Sequence, residues 1–214
     1  VAAIYTENGV GHRIHNLIFS PNFETAEKLN AELLRRGFNL SSDGRPTLGS
    51  LSSKNLCELI YSIDPKIALI PCHVWTPWYS LYGSRSGYNH LADCFGEFSK
   101  YIFAIETGLS SDPSMNWRIN ELDSRSIVSF SDSHSLEKMA REATVIVPTD
   151  SNKRIKEEDI TYSNILNSFI RGKERLFKIG HTIEYYPEEG KYHFTGHRNC
   201  QVIHSPEETK IKGI

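Results

Sequence analysis

Short apolar or β-branched runs alternate with amphipathic stretches along this chain, and this alternation is what most constrains its fold. The predicted strands are residues 2–5, 14–19, 67–72, 102–105, 127–130, 144–147, 176–186 and 192–194. Strands separated by helical stretches favour an α/β protein with a largely parallel sheet.

The helical stretches differ in how strongly their pattern is defined. Residues 24–36 place Ala26, Leu29 and Leu33 three and four positions apart, which is one buried helix face, and Gly37 follows as a C-terminal stop. Residues 52–62 repeat this pattern. Further helices are predicted at residues 89–100, 114–122, 136–143 and 159–171, whereas residues 205–214 are polar and predict a linker or a truncated end.

Composition bounds the class of protein. With 214 residues, 39% hydrophobic and 23% charged, the chain has the size and balance of a soluble globular protein. No run approaches the roughly 18 apolar residues of a membrane span, and no signal segment opens the sequence. The four cysteines form no C-x-x-C pair, so we expect buried free thiols in a reducing cytoplasm.

Charge is unevenly distributed. The net charge is −2, but residues 151–214 carry 11 Lys and Arg against 9 Asp and Glu. The acidic earlier part is suited to holding metals and the basic later part to touching phosphates.

Ligand-type side chains follow the predicted strands, and the run after residues 127–130 carries the strongest signal. There, Asp132 and His134 are two positions apart, so in extended geometry they project to the same face. A carboxylate beside an imidazole suits zinc, manganese or iron. The alternative is that Asp132 caps a helix beginning near Leu136 and that His134 is merely exposed.

Three further residues are candidate ligands at the same edge. His73 emerges where the strand at residues 67–72 ends, His15 lies within residues 14–19, and Glu106 follows residues 102–105. Active sites of α/β proteins are built at such strand ends. The alternatives are a histidine buried in an aromatic corner, a structural strand histidine, and a carboxylate that braces a loop.

Aromatic and arginine side chains near His73 are candidate substrate contacts. Trp75 and Trp78 are able to stack on an unpaired base, although tryptophan beside proline is more often packing. The loop at residues 80–90 contains Tyr82 and Arg85 among glycines and serines, a composition suited to phosphate contact or to a flexible surface loop. Residues 192–200 concentrate His, Arg and Cys and give a weak DNA or metal signal.

Taken together, these residues resemble the PHP (polymerase and histidinol phosphatase) superfamily, and most closely its endonuclease Q branch. The resemblance spans about residues 1–208. It rests on the combination of His15-Asn16-Leu17, Asp43-Gly44-Arg45-Pro46, His73-Val74-Trp75-Thr76-Pro77-Trp78, Glu106-Thr107-Gly108-Leu109-Ser110-Ser111-Asp112-Pro113, Ser131-Asp132-Ser133-His134 and Gly196-His197-Arg198-Asn199-Cys200.

The resemblance implies a distorted seven-stranded (β/α) TIM-like barrel with up to three divalent metal ions (Zn, Mn or Mg) at its C-terminal mouth. It implies phosphodiester hydrolysis in DNA repair, with DNA cut beside a deaminated base or an abasic site. By match, the metal ligands are His15, His73, Asp132 and His134, with Glu106 as a ligand or a ligand-orienting group. His73, Asp132 and His134 would take part in catalysis.

The chain also departs from the family pattern. The opening His-x-His motif, the metal-bridging glutamate and the later cysteine zinc motif are absent. We therefore expect residues 1–200 to form a PHP-type domain that lacks its first strands, with residues 201–214 as a linker. Such a domain would leave an open sheet edge. It would be completed by a missing segment or a partner chain, or be inactive as it stands.

Two other functions remain open from the sequence. One is a PHP phosphatase acting on a small phosphate monoester. The other is a degenerate, non-catalytic PHP module that binds DNA or braces a larger enzyme.

Overall fold

Sixteen helices and strands are defined in a computed structural model that describes residues 1–42, 45–172, 174–190, 192–197 and 201–213. The strands are β1 Ala2–Glu7, β2 Val10–Phe19, β3 Thr47–Gly49, β4 Ala68–Pro71, β5 Ala104–Glu106, β6 Ser126–Val128, β7 Ala143–Pro148, β8 Phe177–Ile183, β9 Thr195–His197 and β10 Val202–His204. The α-helices are α1 Phe23–Arg35, α2 Ser53–Ile63, α3 Leu91–Phe95, α4 Pro113–Asn116, α5 Tyr162–Ser168 and α6 Pro206–Lys212.

The main sheet has the order β3-β1-β2-β4, and most of its pairs are antiparallel. β1 pairs antiparallel with β2, and β2 pairs antiparallel with β4, while β1 and β3 are parallel. β5 and β6 form a parallel pair, and β7 and β8 an antiparallel pair. The α/β class is therefore confirmed, but the prediction of a largely parallel sheet is wrong.

The antiparallel direction originates in a tight hairpin. Asn8 and Gly9 both have positive φ, 50° and 80°, between β1 and β2. Asn-Gly is the pair that a two-residue turn with positive φ at both positions favours, and such a turn forces the strands to run antiparallel. The Asn8-Gly9 turn therefore makes β1 and β2 antiparallel, although helical stretches separate the later strands.

Packing on the main sheet confirms the two helices with the clearest pattern. Asn22 caps α1 by accepting from Thr25 N at 2.8 Å, and Leu29 and Leu33 are buried beneath it. α2 begins after the cap Ser52 and buries Leu56, Leu59 and Ile60 in the same core. A second core joins β4, β5, β6 and α5. The two cores fix the strand ends that carry the predicted site residues.

The other predicted helices are shorter than expected. Of residues 89–100, α3 covers five, and Gly96 with φ of 55° turns the chain into a 3₁₀ helix. Residues 114–122 form α4 and a separate 3₁₀ turn, and residues 159–171 form only α5. Residues 136–143 form one 3₁₀ turn, because Ala140 has φ of 57° and Ala143 already pairs in β7.

The C-terminal part also differs from the prediction. Residues 192–194 are not a strand; β9 begins at Thr195. The expected linker contains β10 and α6, where Ser205 and Glu208 form a reciprocal capping box and Pro206 occupies the first helical turn. The domain limits at residues 1–200 and 201–214 remain a prediction.

The sheets formed by the described residues are small and do not close into a barrel. A few hydrogen bonds nevertheless connect them in series. Val74 N donates to Glu106 O at 3.1 Å, which joins the end of β4 to β5, and Ser129 N donates to Thr144 Oγ1 at 2.9 Å, which joins the end of β6 to β7. The ends of β4, β5 and β6 therefore lie side by side.

Candidate functional site

A cleft of about 700 Å³ lies at these strand ends. Of the residues predicted to be functional, His15, His73, Asp132 and Trp78 line it. A second cleft of about 1160 Å³ lies beside it, and His15, His73 and Asp132 line both. These three residues therefore stand between two open spaces.

His15 and His73 form the centre of this arrangement. Their ring nitrogens, His15 Nδ1 and His73 Nε2, are 3.0 Å apart, although the residues are 58 positions apart in the sequence. Burial, and then the neighbouring His73, lower the pKa of His15 to about 3. Burial also lowers the pKa of His73, although Asp132 acts in the opposite direction. Both rings are therefore neutral near pH 7, which is the form that binds metals.

A hydrogen bond with the Thr76 side chain fixes the orientation of the His73 ring. His73 Nδ1 lies 3.0 Å from Thr76 Oγ1, and the Thr76 hydroxyl donates to Trp78 O at 2.8 Å. With that hydroxyl proton so used, Thr76 Oγ1 accepts from His73 Nδ1–H, which leaves the Nε2 lone pair facing His15. A ligand histidine held through its other nitrogen is a recurring feature of metal sites.

Glu106 holds the ends of the three strands together. It is 2% exposed, and its carboxylate accepts from three backbone N–H groups: His73 N, Gly108 N at 2.9 Å and Phe130 N at 3.3 Å. Burial raises the pKa of Glu106 to about 7 in spite of these bonds. Glu106 does not line either cleft among its described walls. This geometry matches the loop-bracing alternative, and a direct ligand role remains a prediction.

Asp132 and His134 are placed differently from the extended pair that their spacing predicts. Asp132 has φ of 45°, so the chain is not extended at this point, although both residues line the second cleft. His134 Nδ1 bonds to Asp132 O at 2.9 Å, and its Nε2 lies 3.4 Å from Arg45 Nη1. Both side chains are exposed; His134 lines the second cleft but not the first.

Backbone strain is concentrated at the first cleft. His73, Tyr79 and Asp132 have φ of 31°, 63° and 45°, and all three line it. Non-glycine residues rarely adopt positive φ, at a cost of about 1–3 kcal/mol each, and such residues cluster at functional sites. The three positive φ values therefore support this cleft as the candidate site independently of the histidine pair.

The predicted aromatic contacts separate into two groups. Trp78 is 46% exposed at the cleft, with the Arg13 guanidinium 5.1 Å from its ring centroid. Trp75 instead donates its indole N–H to Asn116 at 2.7 Å and packs on Tyr82. The Tyr82 hydroxyl donates to Glu121 at 2.8 Å. Trp75 and Tyr82 thus have structural partners away from the cleft.

Several residues that line the first cleft were not predicted from the sequence. Arg13 precedes His15 by two positions in β2, so alternation alone would have placed both on one face. Tyr79, which directly follows Trp78, also lines the cleft, as do Arg141 and Tyr185, which nothing in the sequence places near His73. Arg85 lies in the 80–90 loop and lines neither cleft. Asp43, Gly44 and residues 198–200 lie outside the described residues.

The donor set fits a metal in part. Nitrogens 3.0 Å apart are compatible with two bonds of about 2.0–2.1 Å to one zinc ion. His15 Nε2 is buried without a hydrogen-bond partner among the described residues, so no hydrogen bond at that atom fixes the ring. In the described part of the chain, no three His, Cys, Asp or Glu residues are grouped closely enough to hold a metal. Two candidate ligand nitrogens converge, and Asp132 borders the same cleft.

Comparison with known proteins places the fold. No protein-family model matches the chain. The chain is 31% identical over 134 residues to the uncharacterized protein YqxK of Bacillus subtilis (strain 168), an alignment that covers 60% of this chain and 32% of YqxK. Its fold is similar to that of the lesion-specific endonuclease PfuEndoQ from Pyrococcus furiosus, with a TM-score of 0.72 and 23% identity.

The chain covers only part of both proteins. The structural match spans 99% of this chain but 51% of the PfuEndoQ chain, so the chain is similar to about half of PfuEndoQ and to a third of YqxK. Among the described residues, no helix combines the length and apolar character needed to cross a membrane.

Proposed function

We propose that the chain is the metal-binding part of a phosphodiesterase that cuts DNA at damaged or deaminated bases. The observation that carries this proposal is the convergence of His15 Nδ1 and His73 Nε2 to 3.0 Å in a cleft lined also by Asp132 and two arginines, Arg13 and Arg141. PfuEndoQ, to which the fold is similar, is a lesion-specific endonuclease. The proposal includes a distorted barrel completed outside the described sheets.

Each lining residue has a distinct task in this proposal. His15, His73 and Asp132 hold the first divalent ion, and Glu106 keeps His73 and the chain after β6 at a fixed separation through its three N–H bonds. When bound, zinc or manganese supplies positive charge that polarises a phosphoryl group and lowers the pKa of a water molecule. Arg13 and Arg141 offer N–H groups to the phosphate oxygens.

His134 and Trp78 act on either side of the phosphate in this proposal. His134 lines the second cleft with its Nδ1–H on Asp132 O and a lone pair on Nε2, so in this proposal it accepts a proton from water there. Trp78 offers an exposed indole face on which a base stacks. An aromatic surface beside the phosphate position favours a base-bearing polymer over a small monoester.

A non-catalytic module is the second candidate, because no three potential ligands are grouped among the described residues. In that case the cleft would bind DNA without cutting it.

The deciding experiment incubates the chain with Mn²⁺, Zn²⁺ or Mg²⁺ and end-labelled duplexes. The duplexes are intact, contain deoxyinosine or contain an abasic site, and p-nitrophenyl phosphate serves as the monoester. We expect metal-dependent cuts at the lesions, at least 100-fold slower in His73→Gln and Asp132→Asn and unchanged in His90→Gln, an exposed histidine distant from both clefts. Binding without cutting in every metal would favour the non-catalytic module. Monoester turnover alone would favour a small-molecule phosphatase.

A further inference from the structure

A third cleft carries two arginines that the proposed reaction does not use. It has a volume of about 450 Å³ and lies between α4, the start of β6, the end of α5 and β8. Arg171, Arg175, His181 and Trp117 are among its lining residues. It therefore offers cationic N–H groups next to an aromatic ring in one concave surface.

The two guanidiniums are held in place but not neutralised. Arg171 Nη1 donates to Asp123 O at 2.7 Å, and Arg175 Nη1 donates to Ser168 O at 3.3 Å and to Ile170 O. These acceptors are backbone carbonyls, and among the described residues neither arginine is paired with a carboxylate. Guanidiniums fixed by neutral carbonyls keep their full charge for an anionic ligand.

One acid follows the β8 residues that line this cleft. Glu184 lies two positions after the lining residue Thr182, and both its carboxylate oxygens are buried. Burial raises the pKa of Glu184 to about 7, so the group is largely neutral below that pH.

The third cleft adjoins the first along two separate segments. Ser110 lines the first cleft and Pro113 lines the third, while Tyr185 lines the first and Thr182 the third. In each segment the two residues are three positions apart, which limits their Cα separation to about 11 Å. The two clefts therefore adjoin closely enough for one nucleic-acid strand to pass from one to the other.

Exposed aromatic surface distinguishes this cleft from a simple anion site. Trp117 is 58% exposed at its rim. Proteins that hold a single strand combine a cationic groove for the backbone with aromatic side chains on which bases stack. The combination of Arg171, Arg175 and Trp117 fits that chemistry, whereas inorganic phosphate would use the arginines alone.

We propose that the Arg171–Arg175 cleft binds phosphates of the same nucleic-acid strand beyond the phosphate in the His15–His73 cleft. This inference rests on the proposed function, because it takes the His15–His73 cleft as the place where a phosphate of the strand lies. The cleft extends the contact with a polymer and contributes nothing to a short substrate.

The test measures binding of single-stranded oligonucleotides of 3, 6 and 12 nucleotides by fluorescence anisotropy in EDTA, so that nothing is cut. The variant Arg171→Gln/Arg175→Gln removes both charges. We expect about tenfold weaker binding of the 12-mer, unchanged binding of the 3-mer, and a salt slope lower by about 1.4, since each phosphate on a single strand contributes about 0.7.

A second variant and a matched control guard against a folding effect. His181→Glu/Trp117→Ala alters the cleft without touching the bonds to Asp123, Ser168 and Ile170, and we expect the same length-dependent loss. Lys28→Gln/Arg35→Gln removes two exposed charges from α1, and we expect no length-dependent loss. Thermal unfolding of each variant verifies folding.

The outcomes separate the two proposals. Equal losses for the 3-mer and the 12-mer, or losses no larger than in the control, would overturn the inference, as would competition by inorganic phosphate with no length dependence. Hydrolysis of lesion-bearing DNA is measured separately with metal. Length-dependent binding without hydrolysis would leave the inference standing and reject the proposed reaction, whereas hydrolysis without length dependence would do the reverse.

Discussion

At the scale of single residues, the site depends on how each polar side chain is held. His15 and His73 were identified because they belong to a set of ligand-type side chains near the predicted strand ends, and both line the cleft. The placement of Trp75 and Tyr82 could not be predicted, because their partners Asn116 and Glu121 lie 41 and 39 positions away. Sequence patterns report which face a residue occupies, and not which distant group satisfies it.

Glu106 provides the first prediction. Replacing it with alanine removes the acceptor of three backbone N–H groups, in a residue only 2% exposed. Because each buried unsatisfied donor costs about 1–3 kcal/mol, we expect Glu106→Ala to lower the free energy of unfolding by about 3–5 kcal/mol. Urea denaturation in EDTA measures this loss without any contribution from a metal.

Glu188→Ala is the matched control, since Glu188 is exposed and should change stability by less than about 0.5 kcal/mol. A loss below about 1 kcal/mol for Glu106→Ala in EDTA would contradict the bracing role. Glu106 would then again be a candidate metal ligand.

At the scale of helices and strands, strong local patterns were predictable and weak ones were not. α1 and α2 combine a cap with a buried face of several turns, and both were predicted within one or two residues. The shorter helices were overextended, because positive φ at Gly96 and Ala140 ends them and composition does not reveal it. The Asn8-Gly9 turn was readable from sequence, and it explains the antiparallel sheet that the alternation concealed.

The second prediction concerns the loop that follows β5. Gly108 has φ of 70°, and a Cβ placed there would lie 2.5 Å from His73 Cβ and 2.8 Å from His73 Cα. Gly108→Ala therefore adds a steric clash to the cost of a left-handed backbone. We expect it to destabilise the chain by about 1–3 kcal/mol more than a clash-free substitution and to weaken metal binding at least tenfold by displacing His73.

Gly37→Ala supplies the clash-free comparison, since Gly37 has φ of 80° and a Cβ there would meet nothing within 4 Å. It should cost about 1–2 kcal/mol for the backbone alone and leave metal affinity unchanged. Equal effects of the two substitutions on stability and on metal affinity would show that the Gly108–His73 contact does not position the histidine.

At the scale of the whole molecule, the sequence predicted the α/β class and the cluster of strand ends, and the similarity to PfuEndoQ agrees with that fold. It did not predict that the described strands form small sheets linked by a few hydrogen bonds. Sheet closure depends on twist and on strands far apart in the chain, and neither is encoded in local periodicity. The proposed function therefore depends less on the overall architecture than on whether the strand ends bind metal.

The most direct test is an equilibrium titration of the metal-free chain with Zn²⁺ and Mn²⁺, using His73→Gln and Asp132→Asn beside the control His90→Gln. Asp132→Asn is a mild change for folding, because asparagine tolerates the φ of 45° found there. We predict at least one ion per chain in the wild type and the control, with affinity at least about 100-fold lower in both site variants. A wild-type chain that binds no ion, or site variants that bind as tightly as the control, would contradict the metal centre.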